Sequence, residues 1–374
     1  MNPESRIRIE EVDGIRGWAA LCVIAFHLSW ETFGILVPQF RFWPTKFFLD
    51  GPLAVYVFFI LSGDALSYRY MLTGNASGLT KSIIKRYFRL TIPIATSCLI
   101  VYLLMKSGLT WNGIAAPIVH REDWLGKFIQ FAPNFGGLVR YAFIEVYVHH
   151  TLGSSYNPFL WTMSIEMIGS LLVFSYMITF KQQKNPLATA LVCAAFLTYF
   201  DTLFSLFFIG IAFAILRIKG YFDRIHAAKM TQSGTLLILA GIAATDAFAE
   251  HANYHSMHLS IFMASTIVAI IYLNSTLTKF MRTGFSVWLG KISFPLYVLH
   301  FTIIVSLTSW LIVKLHSGNQ LNMHNIVFVI VVSLLSALVL AHFASIAEQR
   351  YLTWLNNFVN NKVLTSQDAA SRYE

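Results

Sequence analysis

Charged residues are scarce in this sequence. Only 12% of its 374 residues are Asp, Glu, Lys or Arg, roughly half the ~25% of an ordinary soluble domain, which argues against an enzyme with a solvated polar surface. Cysteine is nearly absent. Cys22, Cys98 and Cys193 lie inside apolar runs with no paired or ligand-like spacing, so neither a disulfide framework nor a thiolate zinc site is expected. No phosphate-binding glycine loop, G-x-S-x-G elbow or H-E-x-x-H helix occurs. His251, His255 and His258 are poorly spaced for a fixed metal, and no metal is expected. There is no Gly/Ser linker, heptad run or repeat of 20–50 residues. Lys and Arg outnumber Asp and Glu by 27 to 18, a net charge of +9, but a nucleic-acid binder would gather those cations on a polar surface. No nucleic-acid partner is expected.

What the chain does have is apolar length: 56% of it is hydrophobic. A bilayer core about 30 Å thick takes roughly 20 apolar residues as helix. Ten candidate segments follow, near 17–37, 53–72, 90–105, 159–179, 187–200, 202–216, 233–247, 259–273, 294–313 and 326–346. With both termini inside, 19 of the 27 Lys and Arg fall on cytoplasmic segments, 7 on external ones, and Arg69 within the second helix. That asymmetry fits the positive-inside rule. The expectation is an all-α polytopic bundle of about ten transmembrane helices with both termini cytoplasmic. Residues 1–350 form its membrane domain, 106–158 an external cap or re-entrant segment, and 351–374 a short cytoplasmic tail.

Ionisable groups inside such helices are costly and therefore candidate site residues. Arg16 and His27 are 11 residues apart, about 16 Å along a regular helix and on nearly the same face. A snorkelling Arg and a packed His are the alternative. Ser62 and Gly63 suit close helix approach, and Asp64 follows them, with Arg69 or the inner interface as its possible partner. Arg86 and Arg89, at i and i+3, can fork onto a phosphate or anchor the helix at anionic lipid. Glu166, one turn beyond Trp161 with Ser164 between, needs a cation or donor. Ser293, Tyr297 and His300 form one helical stripe.

Together these residues resemble a known family. Asp13-Gly14-Ile15-Arg16-Gly17 followed by His27 resembles the R-x10-H opening of the acyltransferase-3 family of membrane proteins. Phe58 to Gly63 is similar to its F-F-x-L-S-G signature, Arg86 to Arg89 to its R-x-x-R, and Trp161 to Glu166 to its W-x-x-S-x-E. Ile292 to His300 resembles its late Ser, Tyr and His stripe. The resemblance spans about residues 10–350. Four positions depart from the family pattern: Ala54 replaces a common glycine, Asp64 an apolar residue, and Gly169-Ser170 an aromatic pair.

The resemblance implies transfer of an acyl group, usually acetyl, from cytoplasmic acyl-CoA to a hydroxyl of a surface or lipid-linked glycan. It also implies an integral protein of a bacterial cytoplasmic membrane. No tightly bound cofactor is expected, and the partners are membrane lipid, acyl-CoA and the hydroxyl acceptor. In that scheme His27 acts as general base or as transient acyl carrier. Arg16 holds the inner mouth, Glu166 orients His27 or the acceptor, and Arg86 and Arg89 bind the donor's phosphates. Asp13, Ser62, Asp64, Trp161, Ser164, Ser293, Tyr297 and His300 line the site. A transporter of a small anionic or sugar substrate is the rival reading, since midplane charges suit that class too.

Overall fold

The computed structural model describes residues 9–73, 76–226 and 229–370, with side chains left aside at 73, 76–81, 84, 229–231 and 358–370. Among the described residues the fold is all helix, without strands. Ten long helices account for the apolar segments: α1 (Glu10–Ala25), α2 (Gly51–Thr73), α3 (Ala76–Lys106), α4 (Thr162–Thr179) and α5 (Pro186–Tyr199), then α6 (Ser205–Ile218), α7 (Lys229–His251), α8 (Met257–Leu273), α9 (Gly284–Ile303) and α10 (Met323–Ala370).

Length separates these helices. Among the described residues, seven spans are long and apolar enough to cross a bilayer, and an eighth qualifies if α8 is joined to the helix Ser275–Met281 across a 94° bend. The two 14-residue helices α5 and α6 fall short, because at 1.5 Å per residue they rise only about 21 Å. Seven or eight spans therefore meet the length criterion, against the ten expected. The outer surface suits lipid. Leu237, Val192 and Phe343 are each about two-thirds exposed or more, which water would disfavour but acyl chains accept.

Two crossings at glycine set the centre. A Cβ on Gly17 would sit 2.6 Å from the backbone nitrogen of Gly290, and one on Gly63 would sit 2.2 Å from the carbonyl oxygen of Phe207. Any side chain at either position would push α1 from α9, or α2 from α6. Gly63 thus serves the close approach expected of it, while its neighbours on α2 point to different polar partners.

The first span is not the uniform helix expected over 17–37. It begins at Glu10, and at Phe26–Glu31 the winding loosens to a π-helix. The hydroxyl of Thr32 donates to the carbonyl of His27 at 2.6 Å, five residues back. Another π segment, Ile304–Thr308, follows the end of α9, one turn after His300. Such turns rotate the side chains around them relative to a regular helix, so the shared face computed for Arg16 and His27 holds only as far as Ala25.

Residues 106–158 are neither one helix nor a disordered loop. They fold into short helical pieces, including Asn112–Ile118 and Phe135–Arg140. Asn112 donates to the carbonyls of Leu125 and Phe128, and the backbone nitrogen of Trp111 reaches the carbonyl of Val305. Arg121 clamps the segment to the end of the first span through the carbonyl and carboxylate of Glu31. It also binds Asp123 at 3.0 Å. Burial would raise the Asp123 carboxyl, but the hydrogen bond and charge of Arg121 outweigh it and hold that group below its ordinary range. The segment thus packs against the end of the first span, and its Trp124 lies beside the His27 ring.

Candidate active site

Two polar centres share α1. The first is built on His27, in the opening turn of the π segment. Its Nδ1 lies 3.0 Å from Nε2 of His300 on α9. On the far side of His300, Nδ1 lies 2.8 Å from the carbonyl of Tyr297. A carbonyl only accepts, so His300 carries its proton on Nδ1 and offers a lone pair at Nε2. His27 must then donate from Nδ1, leaving its own Nε2 as an unprotonated lone pair. The order of bonds, and not the ring type alone, makes His27 a potential proton acceptor.

Packing fixes the ring. Phe159 stacks on His27 at 4.1 Å between centroids, and Trp124 of the cap lies 5.8 Å away, nearly parallel. Tyr297 holds Phe159 in place by donating to its carbonyl at 2.7 Å, while also pairing with Thr162 at 2.8 Å. Asn157 ties the same stretch to Ser97 and to the carbonyl of Val298. His300 is fully buried, whereas His27 keeps part of its surface accessible. Tyr297 and His300 of that helical stripe lie in one centre, through Phe159 and His27.

The second centre lies toward the start of α1, where four helices meet. Glu166 of α4 pairs with Arg86 of α3 and accepts from Ser62 of α2. Arg86 also donates through Nε to Ser170 at 2.9 Å and through Nη2 to Ser62 at 3.2 Å. Arg16 of α1 donates to the carbonyl of Leu61 at 2.9 Å. This answers what Glu166 needed: a cation and a hydroxyl inside the bundle.

Two expectations change on this geometry. Glu166 was expected to orient His27 or the acceptor. Its carboxylate is instead engaged by Arg86 and Ser62, and the residue bonded to His27 is His300. Arg86 and Arg89 were expected to act as a matched fork. Arg86 turns inward to Glu166, with its side chain 11% exposed, and only Arg89 reaches the surface. The reason is helical geometry: residues at i and i+3 lie some 60° apart, enough to place one inside and the other at the mouth.

Other site-lining candidates scatter. Trp161 is exposed, and Ser164 bonds only to the carbonyl of Trp161. Ser293 bonds within its own helix to Gly290. Asp13 sits at the α1 and α9 crossing, where a Cβ on Gly290 would lie 2.2 Å from its carbonyl. Asp64 does not use Arg69. It is fully buried and pairs with Arg217 of α6 at 2.7 Å and with the hydroxyl of Tyr272 at 2.6 Å. Arg217 also binds Glu11, which in turn binds Arg282.

The departures from the family pattern acquire partners here. Asp64 is matched by Arg217. At Gly169 a Cβ would lie 2.3 Å from the ring of Phe207, so that ring fills the space a larger residue would need, and Ser170 bonds Arg86. Trp124 and Phe159 were missed from the sequence. Nothing in local spacing links residues 97 and 132 positions beyond His27 to its ring.

This geometry defines an all-helical integral membrane protein with a histidine pair at one end of α1 and buried ion pairs, Arg86–Glu166 and Asp64–Arg217, elsewhere in the bundle. A family profile described as an acyltransferase domain matches residues 9–342, and the chain belongs to that acyltransferase-3 family. It is also similar to the O-acetyltransferase PaAT-1 of Phomopsis amygdali, 26% identical over 245 residues. That match covers 56% of this chain and 48% of the relative, so it spans about half the length of the relative. No solved structure matches the chain.

Proposed function

We propose that this protein is a membrane-embedded O-acyltransferase that moves an acyl group, acetyl in the first instance, from acyl-CoA to a hydroxyl of a surface or lipid-linked glycan. The observation that carries the reading is the ordered bond from His27 Nδ1 to His300 Nε2, which leaves His27 Nε2 free. The acceptor hydroxyl gives its proton to that nitrogen as its oxygen attacks the thioester carbonyl. The C–S bond then breaks, and the imidazolium returns the proton to the departing thiolate. His300 stabilises the imidazolium by accepting from Nδ1. The acetyl group and hydroxyl acceptor follow the printed name of the relative and the family, and the glycan is our extension of it.

In this reading the donor enters at the Arg16, Arg86 and Arg89 end, with Arg89 on phosphate and the Arg86–Glu166 pair as the fixed wall behind it. A donor with phosphates at one end and a thioester on a long flexible arm suits two centres separated along one helix. Ten crossings, with α5 and α6 counted, would place both termini and the Arg89 mouth in the cytoplasm of a bacterial cell and the cap outside. Purified protein incubated with radiolabelled acetyl-CoA and extracted cell-envelope glycans should yield an alkali-labile ester. If no label transfers, while the same label accumulates inside vesicles containing the protein, the reading fails in favour of transport.

A further inference from the structure

Two buried cations, Lys46 and Arg121, grip the π segment that carries His27. Residues four apart in such a segment lie nearly one turn from each other, so Phe26 and Trp30 share one face and His27 and Glu31 the next. Arg121 holds the His27 face. It bonds the carbonyl and carboxylate of Glu31 and lies 5.1 Å from the ring of Trp124, which is itself beside His27. Lys46 holds the other face. It sits in the short helix Trp43–Phe48, and its ammonium stands over two rings, 4.7 Å from the centre of Trp30 and 5.6 Å from that of Phe26.

Lys46 is 8% exposed, and a lysine is rarely that buried unless it is paired. Its partners come from two further helices. Asp50, just before α2, lies 3.8 Å away, and Glu250, near the end of α7, 3.3 Å. Asp50 is itself fixed, because its Oδ1 accepts from the backbone nitrogen of Leu53 at 2.7 Å and so caps α2. The start of α2 closes on the same ring, since a Cβ at Gly51 would lie 2.5 Å from Phe26. Packing alone does not call for a charge here, because apolar residues fill such a space at least as stably. A cation over ring faces adds direction: it favours one tilt of Trp30 and Phe26 and, through the backbone they share, one placement of His27.

We propose that Lys46 is a positioning residue for His27, acting through Phe26 and Trp30 and not by touching the reacting atoms. The inference rests on the transferase reading above. Asp50 and Glu250 set where the ammonium stands, the ammonium sets the rings, and the rings set how His27 Nε2 meets the acceptor hydroxyl.

The test follows acyl transfer from radiolabelled acetyl-CoA to extracted cell-envelope glycans by the full-length protein in nanodiscs, together with its melting temperature. Lys46→Met keeps the length of the side chain and loses its charge. Its kcat should fall by about tenfold to 10²-fold with KM for acetyl-CoA unchanged. Because this variant leaves two buried carboxylates without their cation, it is compared with the double variant Lys46→Met with Glu250→Gln, in which one of them is neutral. The double variant should regain melting temperature and not kcat, a split that a purely structural role would not give. Lys46→Arg, which keeps a cation over Trp30, should retain most of the wild-type kcat. Wild-type kcat in the folded double variant overturns the positioning role, and so does a kcat as low for Lys46→Arg as for Lys46→Met. A wild type that transfers no label sinks the transferase reading and this role with it. A wild type that transfers label while the variants match it sinks this role alone.

Discussion

His27 and His300 lie 273 residues apart in the chain and share one hydrogen bond, 3.0 Å from Nδ1 to Nε2. The bond has a direction, because the second nitrogen of His300 is committed to the carbonyl of Tyr297. One π segment, beginning at Phe26, contains His27, and the other begins at Ile304, one turn after His300. Loosened winding at both sites lets the two rings meet edge to edge across α1 and α9.

His27→Gln keeps a polar side chain for packing but supplies no base near neutral pH. The variant should insert and fold as the wild type does. Acyl transfer should fall by about 10²–10⁴-fold, the usual loss for a general base, as read by ester formation from radiolabelled acetyl-CoA. Turnover at the wild-type rate would return His27 to a packing role.

His300→Phe removes the acceptor that orients His27 and preserves the aromatic contact with Phe159, 4.9 Å away. The rate constant should drop by about tenfold to 10²-fold, less than for His27→Gln, because the base remains but loses its fixed tautomer. Donor affinity should not move. A KM change with constant kcat would contradict an orienting role.

Arg86→Lys and Arg89→Lys should separate. Lysine at 86 cannot serve Glu166, Ser62 and Ser170 together, so thermal stability in detergent should fall. Lysine at 89 leaves the Glu166 cluster intact and should weaken donor binding instead. Equal behaviour of the two variants would mean the inward and outward placements do not matter.

Asp64→Ala removes one of the two carboxylates on the buried Arg217 guanidinium and leaves Glu11 alone to balance it. Losing one partner of such a pair costs about 3–5 kcal/mol, visible as a lower melting temperature. The double variant Asp64→Leu with Arg217→Met removes both charges and should recover most of that loss. If the double variant is no more stable than Asp64→Ala, the pair is not what holds α2 to α6.

Topology has its own measurement. A cysteine at Ser82, on the Arg89 side of α3, should resist a membrane-impermeant thiol reagent in intact cells and react after lysis. Labelling of intact cells would reverse the proposed orientation and place the cap inside.

Much of the framework is legible in the residues. Apolar run length locates the helices, since burial in lipid depends on local composition that any window reads, but their ends run well past the apolar segments, as at α3 (Ala76–Lys106 against 90–105) and α10 (Met323–Ala370 against 326–346). Motif spacing also finds His27, Arg86, Glu166 and His300, because helical periodicity sets which residues share a face. What the sequence determined, then, is where helices form and which polar residues stand inside them.

Partner choice belongs to the tertiary structure. Asp64 finds Arg217, not Arg69, and Glu166 finds Arg86, not His27. Trp124 and Phe159 reach His27 from the cap and the loop before α4. Each of those contacts joins residues far apart in the chain, so no local pattern encodes it. Glycine crossings and π turns decide them, by setting how closely two helices approach and how each is rotated about its axis.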